Sequence, residues 1–222
     1  MTSRQRILDA AIPVFARKGR YGAHMEDIAA LAHINKAMIY YIFHSKDELY
    51  LEVLKFVFNE ASFSISAITD ENIRNRDSYA DALAGFIKLQ INFFSENSQY
   101  TKIMVDAMSS GAEEIPAAIN YFKSNHGGVA PTTKLREIIE QGKSQGIIRD
   151  INTDHLIISI IGMVIIYFFS QSITESLDIE VKDEQKFLEE RKESIIDLVL
   201  NSILIKDTKK STRKRIKNKE EL

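Results

Sequence analysis

No cysteine occurs in this chain of 222 residues. Disulfide frameworks, thiolate zinc sites, iron–sulfur clusters and cysteine nucleophiles are therefore excluded, and the absence suits a reducing compartment. Glycine (9) and proline (3) are scarce. An all-β sandwich draws on both residues for its many tight turns, so long helices are the reading that remains. Membrane-length apolar runs are missing as well. The uncharged stretch LIISIIGMVIIYFF at 156–169 has 14 residues, whereas a span needs about 20. The first residues, MTSRQRILDA, carry charges where the apolar segment of a secretory signal would lie, so a cytoplasmic location is expected. No Gly-x-Ser-x-Gly, P-loop or Gly-x-Gly-x-x-Gly occurs, and catalytic or nucleotide-binding templates find nothing. The five histidines stand at 24, 33, 44, 126 and 155. None pair at His-x-x-x-His spacing and none neighbours a carboxylate set that looks like a ligand shell, so no metal and no cofactor are expected.

What is present divides by charge. Residues 1–50 carry a net +2, residues 51–205 a net −9 and residues 206–222 a net +5. A basic head, an acidic body and a basic tail mean that a polyanion, if bound, is met by an end and not by the body. Chance produces similar divisions in many proteins.

Helical spacing dominates the pattern. Ile7, Ala11, Val14 and Phe15 place a helix over 3–18, with Thr2 or Ser3 as cap and Gly19 as terminator. Pro13 removes one hydrogen bond within it and should bend it. Two short helices follow, about 25–32 and 36–43, separated by His33-Ile34-Asn35. Ser45-Lys46-Asp47-Glu48 has the Ser-x-x-Glu spacing of a capping box and opens the next helix. Further helices are read at 78–95, 99–109, 114–124, 132–144, 155–174 (capped by Thr153 or Asp154) and 183–205, with polar breaks at 69–77 and 126–131. The basic tail from 206 reads as disordered. No strand pattern is found.

Two short helices joined by a three-residue turn and propped by a preceding helix describe a helix-turn-helix, although on spacing alone any three-helix bundle fits too. The residues are more specific. RILDAAIPVFARKG (6–19), MEDIAALA (25–32), INKAMIYYIF (34–43) and SKDEL (45–49) together resemble, in one register, the N-terminal domain of the TetR family of bacterial transcriptional regulators. Beyond residue 50 the likeness is architectural only. The resemblance implies an all-α fold of about nine helices. A helix-turn-helix DNA-binding domain would span 1–46 and a larger helical ligand-binding and dimerisation domain 47–205, followed by the tail at 206–222.

It also implies roles for residues. Lys36, Ala37 and Met38 at the start of the second short helix would reach base edges and flanking phosphates, Lys36 by charge and the other two by apolar contact. Tyr40 matches the family tyrosine that meets the DNA backbone, and Tyr41 an aromatic that does the same or packs. Lys46 would hold a phosphate at the next helix's first turn. His24, Met25 and His44 complete the candidate DNA-binding set. The sequence departs from the family at His24, a poorer cap than the usual Thr or Ser, and at His33, which replaces a glycine where a left-handed backbone is required. Ile42 gives up a polar group. Fewer polar groups then face DNA, so specificity rests on few contacts and on DNA shape.

In the body, Phe86, Phe93, Met104, Met108, Tyr121, Phe122, Met163 and Tyr167 are candidates to line a ligand pocket, with plain core packing as the alternative for each. Few charges lie among them, so a small hydrophobic or weakly polar effector is expected. Ile157, Ile161, Ile165 and Phe168 in one of the last helices, with Leu198 and Ile205 in the other, are candidates for a homodimer interface. The functional reading is a homodimeric repressor on a near-palindromic double-stranded DNA operator, not an enzyme and not a membrane protein. An activator, a ligand-independent DNA-binding protein, or an all-α enzyme or interaction module whose head imitates the motif are the alternatives.

Overall fold

The computed structural model describes residues 1–63, 73–111, 114–125, 131–169 and 177–205, without the side chains of Phe63, Phe122, Lys123, Asn125, Pro131 and Phe169. These residues form ten helices: α1 Ser3–Gly22, α2 Met25–Ala32, α3 Lys36–Phe43, α4 Lys46–Phe63, α5 Arg76–Glu96, α6 Ser98–Ser109, α7 Glu114–Asn125, α8 Pro131–Ser144, α9 Thr153–Phe169 and α10 Glu184–Ile203. The all-α reading therefore holds. The sole β feature among them is one antiparallel bridge between Ile148 and Leu204. It clamps the α8–α9 turn onto the end of α10 through Arg149 N–H to Ile203 O (2.9 Å) and Ile205 N–H to Ile147 O (3.1 Å).

Several boundaries follow from side-chain caps. The Thr2 hydroxyl accepts from Gln5 N–H, and the Asn35 carboxamide from Ala37 N–H at 2.8 Å. Ser45 Oγ accepts from Glu48 N–H at 3.0 Å. Asn75 and Ser78 form a reciprocal capping box that starts α5 two residues before the predicted position. The start of α9 corrects the sequence reading. Asn152, not Thr153 or Asp154, supplies the cap, accepting from His155 N–H at 3.0 Å. Thr153 instead donates to Glu140, and Asp154 pairs with Arg136 of α8. The predicted extension of α9 to 174, residues 126–130 of the break read at 126–131 and the tail from 206 lie outside the described residues, while Pro131, read as the last residue of that break, opens α8.

Pro13 does not end α1. Helical dihedral angles continue through it, and the break falls at Gly19 (φ 67°, ψ 176°). Asp9, whose carbonyl loses its partner to the proline, is exposed and open to water.

Two hydrophobic clusters make up the interior. One joins Ile7, Phe15, Ile28, Ile39 and Phe43 of the first three helices to Leu49, Tyr50, Val53, Leu54 and Val57 of α4, and continues into Ile103 and Ala107 of α6 and Ala118 of α7. The other runs from Ala61 through α5, α8, α9 and α10. The first half of α4 thus packs with the head and its last turns with the body. The α6 helix is the main strut from the body to α1.

Candidate nucleic-acid interface and ligand cavity

The turn between α2 and α3 has the backbone that its sequence requires. His33 sits in the left-handed region (φ 53°, ψ 49°), a conformation that costs histidine less than most residues but more than glycine. Arg6 of α1 stabilises it by donating to the carbonyls of Ala32 (2.6 Å) and His33 (3.0 Å). His24 makes no capping bond from its side chain, as expected for that substitution. Ile39 and Phe43 face inward from α3. That leaves Lys36, Ala37, Met38, Tyr40 and Tyr41 on the outward side, with Tyr41 79% exposed. His24 and His44 are exposed as well.

Three of the predicted DNA-facing residues are placed in ways that the sequence did not show. Met25 is only 4% exposed and packs in the head core, because the first residue of α2 turns towards α1; it is not a surface contact. Lys46 is half-buried. Its ammonium donates to the carbonyls of Tyr21 and Ala23, both at 3.1 Å, and so ties the α1–α2 junction to the start of α4. Lys36 is exposed but pairs with Glu26 of α2 and lies over the Tyr40 ring at 5.6 Å. The hydrogen bond from Lys36 holds the Glu26 carboxyl below its ordinary value, and Glu26 in turn raises Lys36. An anion approaching α3 competes with Glu26 for this ammonium.

Behind the head, α6 carries a second polar arrangement that sequence reading missed. Asp106 Oδ2 accepts from Arg20 N–H at 2.9 Å and from the Tyr50 hydroxyl at 2.7 Å. The Arg20 side chain donates to Asp47 at 3.1 Å and pairs with Glu114 of α7. Burial first, and Asp106 second, push the Tyr50 phenol far above its ordinary value, so it stays protonated and donates.

The opposite face of α6 borders a cavity of about 210 Å³. Leu54 and Phe58 of α4, Phe86, Gln90 and Phe94 of α5, Met104, Ala107 and Met108 of α6, and Ile161, Val164 and Ile165 of α9 are among the residues around it. None of the described residues lining it is charged. Of the predicted ligand-binding set, Phe86, Met104 and Met108 line this cavity. Phe93 and Tyr167 do not; both are buried in the packing beside it, Phe93 against Phe94 and Tyr167 against Phe168 and Phe187. Tyr121 lies outside as well, with Lys55 over its ring at 4.4 Å, and Met163 receives Arg191 at its carbonyl. The Phe122 side chain is outside the described residues. Gln90 is a polar wall residue at 8% exposure, and its Nε2 has no hydrogen-bond partner among the described residues. An unpaired buried amide N–H costs about 1–3 kcal/mol. The sequence signal was there: one glutamine on the apolar stripe Leu83, Phe86, Ile87, Phe94.

The predicted dimer set is also redistributed. Ile157 and Phe168 are buried within the chain, and Ile161 and Ile165 line the cavity, because α5 and α10 cover that side of α9. The outward residues of α9 are Asp154, His155, Ile158 (70% exposed), Ser159, Gly162 and Ile166. Leu198 (60%) and Ile205 do stand on the surface.

This frame of a helix-turn-helix on a helical body has relatives. Residues 7–53 match the family described as bacterial regulatory proteins, tetR family. The HTH-type transcriptional repressor NicS of Pseudomonas putida is 28% identical over 194 residues, covering 82% of this chain and 84% of that protein. Residues 7–53 thus form a tetR-family DNA-binding domain, and the chain is a TetR-like transcriptional regulator. A second relative, the HTH-type negative transcriptional regulator IcaR of the biofilm operon icaADBC in Staphylococcus epidermidis, is 28% identical over 138 residues, 62% of this chain and 68% of that protein. In fold, the chain is similar to the transcriptional regulator FadR of Bacillus subtilis, solved in complex with stearoyl-CoA. The TM-score is 0.68 with 17% identity, over 88% of this chain and 97% of that one. These relatives are DNA-binding transcriptional regulators, and among the described residues no helix is long and apolar enough to cross a membrane.

Proposed function

We propose that this TetR-like regulator is a repressor that binds a near-palindromic operator as a homodimer in the cytoplasm, acts by binding and not by catalysis, and is released by a small, mostly apolar effector in the cavity. One observation carries the reading. The α6 helix touches both ends of the mechanism: Asp106 grips the α1 break at Arg20, while Met104, Ala107 and Met108 on the same helix line the cavity. An effector that fits one position of α6 better than another shifts the head by its differential affinity for the two positions, and by no more than that.

The DNA side is the outward face of α3, with Lys36, Ala37, Met38, Tyr40 and Tyr41 in the major groove and His24 and His44 at its edges. The head domain is 1–46 and the body 47–205, as divided by sequence. Outward Ile158 and Leu198, with Gly162 leaving open space for close approach, support a two-fold interface of α9 and α10. The names of NicS and IcaR, a repressor and a negative regulator, favour repression over activation.

The test is selection of bound genomic fragments by the purified chain at about 150 mM salt, where nonspecific attraction is weak. An inverted repeat upstream of genes, lost on combining Lys36→Ala with Tyr40→Ala, supports the reading. Fragments without a shared motif, or a motif bound equally by the double variant, overturn it.

A further inference from the structure

The cavity has nearly one chemistry and one exception. Its described walls are carbon and thioether almost throughout, from Leu54, Phe58, Phe86, Met104, Ile161 and Val164. Gln90 interrupts them from the middle of α5. It is 8% exposed, and its Nε2 N–H groups have no partner among the described residues. A buried amide donor of this kind is ordinarily satisfied by a protein group or an ordered water. Ser62 and Thr132 are the other polar residues at the wall, and the Ser62 hydroxyl is already committed to the Phe58 carbonyl at 2.8 Å. Thr132 is exposed, so Gln90 is the buried donor at this wall that has no partner among the described residues.

We infer that the cavity selects an uncharged, largely apolar molecule bearing one hydrogen-bond acceptor, such as a ketone, ester or ether oxygen, and that Gln90 Nε2 is the group that recognises it. This rests on the cavity being the effector site. A carboxylate or phosphate is disfavoured, because no described cation lines the walls to offset its desolvation. At about 210 Å³ the space lies below the roughly 300–1,000 Å³ of pockets for drug-sized ligands, so the occupant is small. Recognition by one buried donor is also selective: an analogue without the acceptor leaves the amide unpaired, and discrimination of this kind exceeds what apolar shape alone provides.

The experiment uses the full chain and three probes of nearly the same shape: propiophenone, propylbenzene and 3-phenylpropanoate. Affinities are measured by calorimetry for the wild type and for Gln90→Met, which keeps the side-chain volume and removes the amide. The hydrocarbon corrects for the easier desolvation of an apolar probe. On Gln90→Met, propiophenone is expected to weaken about tenfold, while propylbenzene is unchanged or tighter and 3-phenylpropanoate is bound by neither protein. In the wild type, the infrared carbonyl stretch of bound propiophenone should shift below its value in hydrocarbon solvent, a readout that needs no variant. Equal effects of the substitution on ketone and hydrocarbon, an unshifted carbonyl, or tight binding of the carboxylate would overturn the assignment of Gln90 while leaving the cavity as a ligand site. Failure of all three probes to bind the wild type would overturn the cavity itself as an effector site.

Discussion

The Asp106 carboxylate receives the backbone N–H of Arg20 across 2.9 Å, joining residues 86 positions apart in the chain. The left-handed Gly19 makes this possible. A Cβ at residue 19 would collide with Asp106 Oδ1, so glycine there serves both the positive φ and the close approach. The head is thus fastened to α6 by backbone and side chain together, with the Tyr50 hydroxyl as a second donor to the same oxygen.

Removing this junction should cost stability and blunt the effector response together. Asp106→Ala is expected to lower the unfolding free energy by about 1–3 kcal/mol, since the Arg20 N–H and Tyr50 O–H lose an ionised acceptor. Gly19→Ala should cost at least as much through strain and collision. Urea denaturation reads the first effect, and effector-dependent release of DNA the second. A variant that stays as stable and as responsive as wild type would refute the coupling.

Glu26→Gln should tighten DNA binding. Glu26 now holds the Lys36 ammonium and adds a negative charge beside the expected phosphate path. With it neutralised, the slope of log affinity against log salt should steepen by up to about one unit. Fluorescence anisotropy across a salt series measures this, and an unchanged slope would place Lys36 away from the phosphates.

Tyr79 and Gly142 form a contact with opposite sensitivities at its two ends. The Tyr79 hydroxyl is buried with no hydrogen-bond partner among the described residues, so Tyr79→Phe should be neutral or stabilising by about 1 kcal/mol. A Cβ on Gly142 would enter the Tyr79 ring, so Gly142→Ala should destabilise by about 1–3 kcal/mol. Thermal and chemical denaturation of both variants decide the matter.

Stability should fall at alkaline pH for a specific reason. Burial raises the folded-state values of the Tyr79 and Tyr50 phenols above their ordinary 10.0, with Asp106 adding to Tyr50. A raised value means that the unfolded chain releases the proton first. This contribution is fully present below pH 10 and is lost as pH rises above it, by up to about 1.4 kcal/mol per pH unit for each group. Tyr79→Phe should flatten the decline by one group's share in denaturation series from pH 9 to 11.

A charge on the outer face of α9–α10 should separate subunits. Leu198→Glu places a carboxylate where the proposed partner packs, and light scattering at micromolar concentration should show a shift from dimer to monomer, with weaker operator binding. An unaltered dimer would move the interface elsewhere.

The sequence by itself determined whatever depends on near neighbours. Helix periods and the inward Ile39 and Phe43 follow from residues a few positions apart, while the helix-turn-helix and the left-handed turn at His33 were legible through the family resemblance. The outward placement of most of α3 followed from the same period. What the tertiary structure alone decided depends on partners far along the chain. Met25 turned inward against α1, and Lys46 turned to the carbonyls of Tyr21 and Ala23. On α9, the period marked an apolar helix on every side, and only the packing of α5 and α10 settled which isoleucines line the cavity and which face outward. Asp106 had no readable role as an isolated residue, and Gln90 showed only as one glutamine on an apolar stripe. Asp106 takes its contact from an N–H that the fold brings up from α1, and Gln90 its proposed role from the apolar cavity bordered by residues of α4 to α9.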